Sequence, residues 1–176
     1  LWQMQSEKIA DCIERIISME SAWRQTACQL ARHQHCFALG RGLDYPIALE
    51  TGLKFKETAY IHGEAMYAGE FKHGSISLIE PGMPVVCFLG DRVTRQKTIS
   101  NIEEIKARGA QPFVIAPGDG ESLAYLGVEH KLPELDEPWA SIIQLTVAHL
   151  MCYHAGVLRN VTVDRPRNLA KSVTVE

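Results

Sequence analysis

PVVCFLGDRVTRQKTISNIEEIKARGAQPFVIAPG, residues 84–118, places a helix-like segment between two short apolar runs. The first run, Pro84 to Leu89, carries no polar side chain and closes at Gly90-Asp91. An uninterrupted apolar run of this length, bounded by turn residues, reads as a strand buried on both faces. A helix is expected from about Val93 to Arg108, with Ile99, Ile102 and Ile105 on its inner face and Gly109 as its stop. Pro112 to Ala116 is then a second strand, followed by the turn Pro117-Gly118-Asp119-Gly120. Strand, helix and strand in this order form a parallel crossover unit.

The same alternation extends outward. Upstream, Cys36 to Leu39 reads as a strand ending in Gly40-Arg41-Gly42, and a helix runs from Asp44, as N-cap, to about Ile61. Residues 60–75 read as a long polar loop, and Ser75–Glu80 as either helix or strand. Downstream, a weaker strand is expected near Leu126 to Leu132, then a long helix from near Pro138 to about Leu158. That helix is apolar nearly all round (Trp139, Ile142, Ile143, Val147, Leu150, Met151), as a buried or dimer-facing helix would be. The first thirty-odd residues carry a helical stripe of Ile9, Cys12, Ile13, Ile16 and Ile17. They read as a packing helix or a tether to an upstream domain. The expected class is α/β, a three-layer αβα sandwich around a parallel sheet.

Composition narrows the function. The 176 residues are 46% hydrophobic and 22% charged, enough apolar surface to offset the entropy of ordering a chain. A net charge of −3 supplies no basic field for nucleic acid. No window reaches the roughly 18 uninterrupted apolar residues of a membrane span. The chain begins at Leu1 with no signal-type segment, and a cytoplasmic location is expected. Cys12, Cys28, Cys36, Cys87 and Cys152 are scattered, lack a CxxC spacing and read as buried reduced thiols. His33 and His35 read as residues of a helix-to-strand loop. His149 and His154, five apart, do not share a helical face, so no metal site is expected.

Parallel sheets bind ligands at the carboxyl ends of their strands, which makes Arg41 a candidate substrate contact. Gly40-Arg41-Gly42 lacks the third glycine of a dinucleotide fingerprint, which disfavours a nicotinamide cofactor. Glu50, Lys54 and Glu57, at i, i+4 and i+7, share one helical face. They are either a solvated face with one Glu–Lys pair or a carboxylate base held beside an ammonium. His73, between Lys72 and Gly74, is either an ordinary loop histidine or an acid/base group. In the tail, Pro166 can open a helical turn that aims Arg167 and Lys171 the same way, or the segment is a solvated terminus.

ALETGLKFKETAYIHGEAMYAGEFKHGSISLI, residues 48–79, and VDRPRNLAKSVTVE, residues 163–176, together resemble the C-terminal part of the glutamine:fructose-6-phosphate amidotransferases. The tail is the more specific signature, and KHG is shared more loosely among sugar-isomerase (SIS) domains. Ser75 departs from the proline that usually follows KHG. The resemblance implies a flavodoxin-like, mostly parallel five-stranded sheet, a connector at 1–34, an SIS domain at 35–163 and an active-site tail at 164–176. It implies a cofactor-free enzyme acting on fructose 6-phosphate and glutamine to give glucosamine 6-phosphate. In that reading Glu57 moves a proton between C1 and C2, Lys54 polarises the neighbouring oxygen, and His73 assists ring opening in the other subunit of a homodimer. Lys171 contacts the sugar, with Ala170 and Glu50 among the substrate-binding residues. The glutaminase and first SIS domains would be supplied by a longer chain, since neither a Ser/Thr-rich phosphate loop nor an N-terminal cysteine nucleophile occurs here. The alternative is a non-catalytic sugar-phosphate-binding or dimerisation module.

Overall fold

A computed structural model describes residues 2–118, 123–127, 130 and 132–169. Helices α1 (Trp2–Ser18) and α2 (Glu20–Leu30) lead into strand β1 (His35–Gly40) and helix α3 (Asp44–Lys54). Then follow β2 (His62–Tyr67), β3 (Pro84–Phe88), α4 (Arg95–Lys106), β4 (Gln111–Ile115) and α5 (Ala140–Leu158). The strands pair in the order β2-β1-β3-β4, all parallel. His35 lies opposite His62 at the amino end of the β1–β2 pair, and Gly40 opposite Tyr67 at its carboxyl end.

Because successive strand side chains point to opposite faces, the sheet feeds two cores. Cys36, Ala38, Val86, Phe88, Phe113 and Ile115 face the layer of α1, α2, α3 and α5. Phe37, Leu39, Val85, Cys87 and Val114 face α4 and the short turns that follow β2. The leader is broken at Met19, and Trp23 bridges the break by donating its indole N–H to the Ile16 carbonyl at 2.8 Å. Ile16, Trp23, Ala27 and Leu30 are buried in the α5-side core. Helix α5 is long and apolar enough by composition to cross a membrane, yet half of it is buried here. Its buried positions include the polar Gln144 and His154, so it serves as a core helix.

Three expectations are corrected. The sheet has four strands among the described residues instead of five. Among the described residues of Leu126–Leu132 there is no strand: Leu126 ends a 3₁₀ turn at Ala124–Leu126, and Leu132 makes a single bridge to Pro117. The leucines alternate because Leu126 enters the α4-side core and Leu132 the α5-side core. Conversely, residues 62–67, read as loop, form β2. This strand lies on the sheet edge, where His62 and Glu64 stay exposed, so its sequence lacks the apolar run of the inner strands. Third, Asp44 does not cap α3: Leu43 holds the cap position, and Asp44 reaches across to the loop after β3.

That reach ties two strand ends together. Asp44 Oδ2 accepts hydrogen bonds from the Gly90 and Asp91 amides at 2.9 and 3.0 Å. Asp91 in turn accepts from the Leu43 and Thr94 amides at 2.8 and 2.9 Å. Burial pushes the Asp44 carboxyl up to about 6, against the lowering pull of those amides. Asp44 Oδ1 and both polar atoms of Gln144 have no hydrogen-bond partner. A carboxyl raised in the folded state contributes stability that is full below the unfolded range near pH 4 and lost as pH rises through about 6. Asp44→Asn cannot ionise and can donate toward Gln144. We therefore expect the variant to gain ~1–2 kcal/mol over the parent at pH 7, with little difference at pH 4, in urea unfolding. Destabilisation larger at pH 7 than at pH 4 would mean that the carboxylate's two accepted bonds outweigh its desolvation.

Candidate active site

Helix α3 does not run on to Ile61 as a regular helix. It passes at Phe55–Ala59 into a wide π turn, and the chain leaves through Tyr60 in the left-handed region (φ 53°). Such turns cost hydrogen-bond geometry and need outside support. Here Thr58 supplies it: its hydroxyl donates back to the Lys54 carbonyl at 2.7 Å, with the Cys152 carbonyl of α5 at 3.3 Å. Gly156 of α5 gives the turn room, since a Cβ there would sit 2.1 Å from the Thr58 carbonyl oxygen. On its other side α3 lies close to β2 at Gly52 and Gly63, where a Cβ on Gly63 would meet the Gly52 carbonyl at 2.8 Å.

The turn delivers Glu57 to Lys54. Lys54 Nζ lies 2.6 Å from Glu57 Oε2 and 3.6 Å from Glu50 Oε1. The hydrogen bond to Glu57 raises the Lys54 pKa, desolvation lowers it, and the charge of Glu50 adds to the rise. The net shift is upward, so Lys54 stays a cation. At the far end of this row, His149 Nε2 of α5 sits 3.2 Å from the same Glu50 oxygen. The result is a continuous chain, His149–Glu50–Lys54–Glu57, spanning α5 and α3. Glu57 also lines an open groove with Leu53, Tyr60, His62, Arg167 and Leu169. The tail is held there by Tyr60. Its hydroxyl accepts from the Arg167 amide at 2.7 Å, and the Arg167 guanidinium stacks 4.1 Å above its ring. Ala170 and Lys171, expected in the site, lie outside the described residues.

Two expected partners are elsewhere. Arg41 follows the carboxyl end of β1, where it bonds Asn101 of α4 at 3.0 Å and stacks on Tyr67. His73 is exposed in a short turn after β2, anchored by Phe71 packing edge-on against Phe37 on the α4 face. The Glu57 groove instead includes His62, at the amino end of β2, and α3 covers the opposite face. Six strand residues span about 17 Å, so Arg41 and His73 are a strand's length and a sheet's thickness from Glu57 within one chain. Sequence reading missed Tyr60, His149 and the π turn. An aromatic before a strand and one histidine on an apolar helix carry no periodic signal of their own.

Cys36, Cys87 and Cys152 are buried as expected, whereas Cys12 and Cys28 are only partly buried. Burial pushes the Cys36 thiol up to about 12 and raises Cys87 and Cys152 as well. Among the described residues no group of three or more His, Cys, Asp or Glu is placed to hold a metal ion.

The chain belongs to the SIS domain family, whose model matches residues 29–159. It is 44% identical over 172 residues to the glutamine–fructose-6-phosphate aminotransferase (isomerizing) of Methanosarcina acetivorans, covering 96% of this chain. The corresponding protein of Thermococcus kodakarensis is also 44% identical, over 170 residues and 96% of this chain. The chain spans 28% of the length of each of these relatives. Its fold matches the C-terminal domain of glucosamine-fructose-6-phosphate aminotransferase from Francisella tularensis with a TM-score of 0.84 at 27% identity. That match covers 93% of this chain and 46% of the other.

Gly156→Ala tests the support of the π turn. Alanine in a helix would ordinarily gain about 1 kcal/mol, but the overlap with Thr58 should reverse the sign. A net loss of ~1–3 kcal/mol is expected in urea unfolding. A stabilised variant would show that the turn moves aside freely and that α5 does not hold it.

Proposed function

We propose that this chain is the C-terminal isomerase part of a longer enzyme that makes glucosamine 6-phosphate from fructose 6-phosphate and glutamine. Its segments would be a helical lead-in at 1–34, the SIS body at 35–163 and an active-site tail at 164–176. The observation that carries the reading is the 2.6 Å Lys54–Glu57 contact, facing a groove that the tail reaches. Proton transfer beside a carbonyl or imine carbon needs an ionised carboxylate and a cation that stabilises the enol-type intermediate. After ammonia replaces the C2 carbonyl oxygen of the opened ketose as an imine, with loss of water, Glu57 takes a proton from C1, the C–H pair forms the C1=C2 bond and the C2=N π pair moves onto nitrogen, which takes up a proton. The carboxyl then returns its proton to C2 while the C1 hydroxyl gives up its proton and its oxygen pair closes the C1 aldehyde. Lys54 stays protonated and steadies the developing charge. The tail brings Lys171 to the sugar, with Ala170 and Glu50 in its surroundings.

The distance between His73 and Glu57 within one chain supports a homodimer in which His73 serves the site of the other copy. Arg41, on the far side of the sheet, fits a structural role at the β1–α4 junction better than a substrate contact in this groove. The glutaminase and first SIS domains would come from the rest of the longer chain, and the enzyme would work in the cytoplasm.

Glu57→Gln in the full-length enzyme tests the assignment. Loss of a general base costs about 10²–10⁴-fold, so sugar synthesis should fall by that order. Glutamine hydrolysis, carried out elsewhere, should be retained. Synthesis within a few-fold of the parent would make Glu57 a surface ion-pair residue and favour a sugar-phosphate-binding or dimerisation module.

A further inference from the structure

We propose that His149, on α5, is a positioning residue that sets how Lys54 divides itself between Glu50 and Glu57; this rests on the proton-transfer reading of Glu57. Lys54 Nζ and His149 Nε2 address one and the same oxygen, Glu50 Oε1, at 3.6 and 3.2 Å. A carboxylate only accepts hydrogen bonds, so His149 presents its Nε2–H to Glu50. With that oxygen engaged by the imidazole, Glu50 does not close on Lys54, and the short 2.6 Å contact goes to Glu57. Without His149, Glu50 loses its second donor. The ammonium is then shared between Glu50 and Glu57, and Glu57 loses part of its cation.

The geometry makes the effect directional. Glu50 and Lys54 sit at i and i+4 on α3, within reach of a direct ion pair. His149 comes from a different element, α5, which packs along α3 and contributes Cys152 beside the same π turn. The side chains are about one-third exposed at Glu50 and Lys54, at 33% and 31%, and 46% exposed at His149. The cluster is therefore solvated enough for its ion pairs to exchange partners and dry enough for the choice to matter. Among the described residues, His149 is faced from α3 by Glu50, with Lys54 behind it. Glu57 is faced by Lys54, and Lys56, His62 and Arg167 line its groove.

The test uses the full-length enzyme with His149→Phe, His149→Gln and Glu50→Gln, assaying sugar synthesis, glutamine hydrolysis and the pH dependence of kcat. His149→Phe should lower kcat for synthesis about 5–10-fold, a typical size for a displaced rather than deleted catalytic group. KM for fructose 6-phosphate should stay within about two-fold, and glutamine hydrolysis should not change. The acid limb of the kcat–pH profile should move to higher pH, because a carboxylate with less of its cation protonates more readily. His149→Gln keeps an N–H donor and should restore kcat and profile to within about two-fold. In a Glu50→Gln background His149→Phe should have no further effect, since the competing carboxylate is gone. The proposal is overturned if His149→Phe leaves kcat and the acid limb unchanged, if His149→Gln is as impaired as His149→Phe, or if the double variant shows simple additivity. Glu57→Gln run beside them separates the two claims. Full synthesis by Glu57→Gln removes the underlying reading, whereas a dead Glu57→Gln with a neutral His149→Phe removes only this one.

Discussion

The site depends on one place where two helices come closer than side chains normally permit, Gly156 of α5 against the Thr58 carbonyl of the turn after α3. A wide turn leaves backbone groups poorly paired, and a buried unpaired carbonyl costs about as much as a lost hydrogen bond. Thr58 bridges this gap with its hydroxyl, while Gly156 lets the turn sit directly on α5. Everything chemical follows from that seat. It ends the regular helix at Lys54, turns Glu57 back onto the Lys54 ammonium, and leaves Tyr60 left-handed, with its ring turned to the tail.

A second constraint holds the opposite end. Asp44 and Asp91 exchange amide hydrogen bonds across the gap between α3 and the β3 loop, so the start of α3 is fixed by backbone donors rather than by a conventional cap. Helix α3 is thus pinned at its amino end by buried carboxylates and at its carboxyl end by the π turn. Burial of Asp44 opposes folding at neutral pH, but its removal from water is what fixes where two strand ends meet. The close contact of Gly52 with Gly63 sets how deeply the helix lies on the edge strand.

The fold also separates groups that a linear reading places together. Glu57 and His73 are sixteen positions apart in sequence, with one edge strand between them. That strand carries the chain from the amino end of the sheet to its carboxyl end, and Phe71 then draws the following turn onto the α4 face. Leu49 and Leu53 of α3 and Tyr153 and Val157 of α5 are exposed on the same two helices that carry the His149–Glu50–Lys54 row, so charged and apolar groups share these helices' outer surface.

The inner strands were legible because continuous apolar runs such as Pro84–Leu89 have few stable fates other than burial between helices. Glu50, Lys54 and Glu57 were legible as a group because helical spacing alone puts them on one face. The edge strand His62–Tyr67 was not, since half of it faces solvent and its polar residues mimic a loop. Nor was a strand near Leu126–Leu132 a sound expectation, because Leu126 and Leu132 serve opposite cores and only a structure shows which side each enters. His149 had no meaning at five residues from His154 until α5 was laid beside α3. The amino-acid sequence by itself determined the class of fold and the helix that carries the charges, because both follow from local periodicity. Only the tertiary structure decided which oxygen each charge meets and at which end of the sheet the Lys54–Glu57 pair lies. Those depend on contacts between residues nearly a hundred positions apart, Glu50 with His149 and Thr58 with Cys152, and periodicity does not encode them.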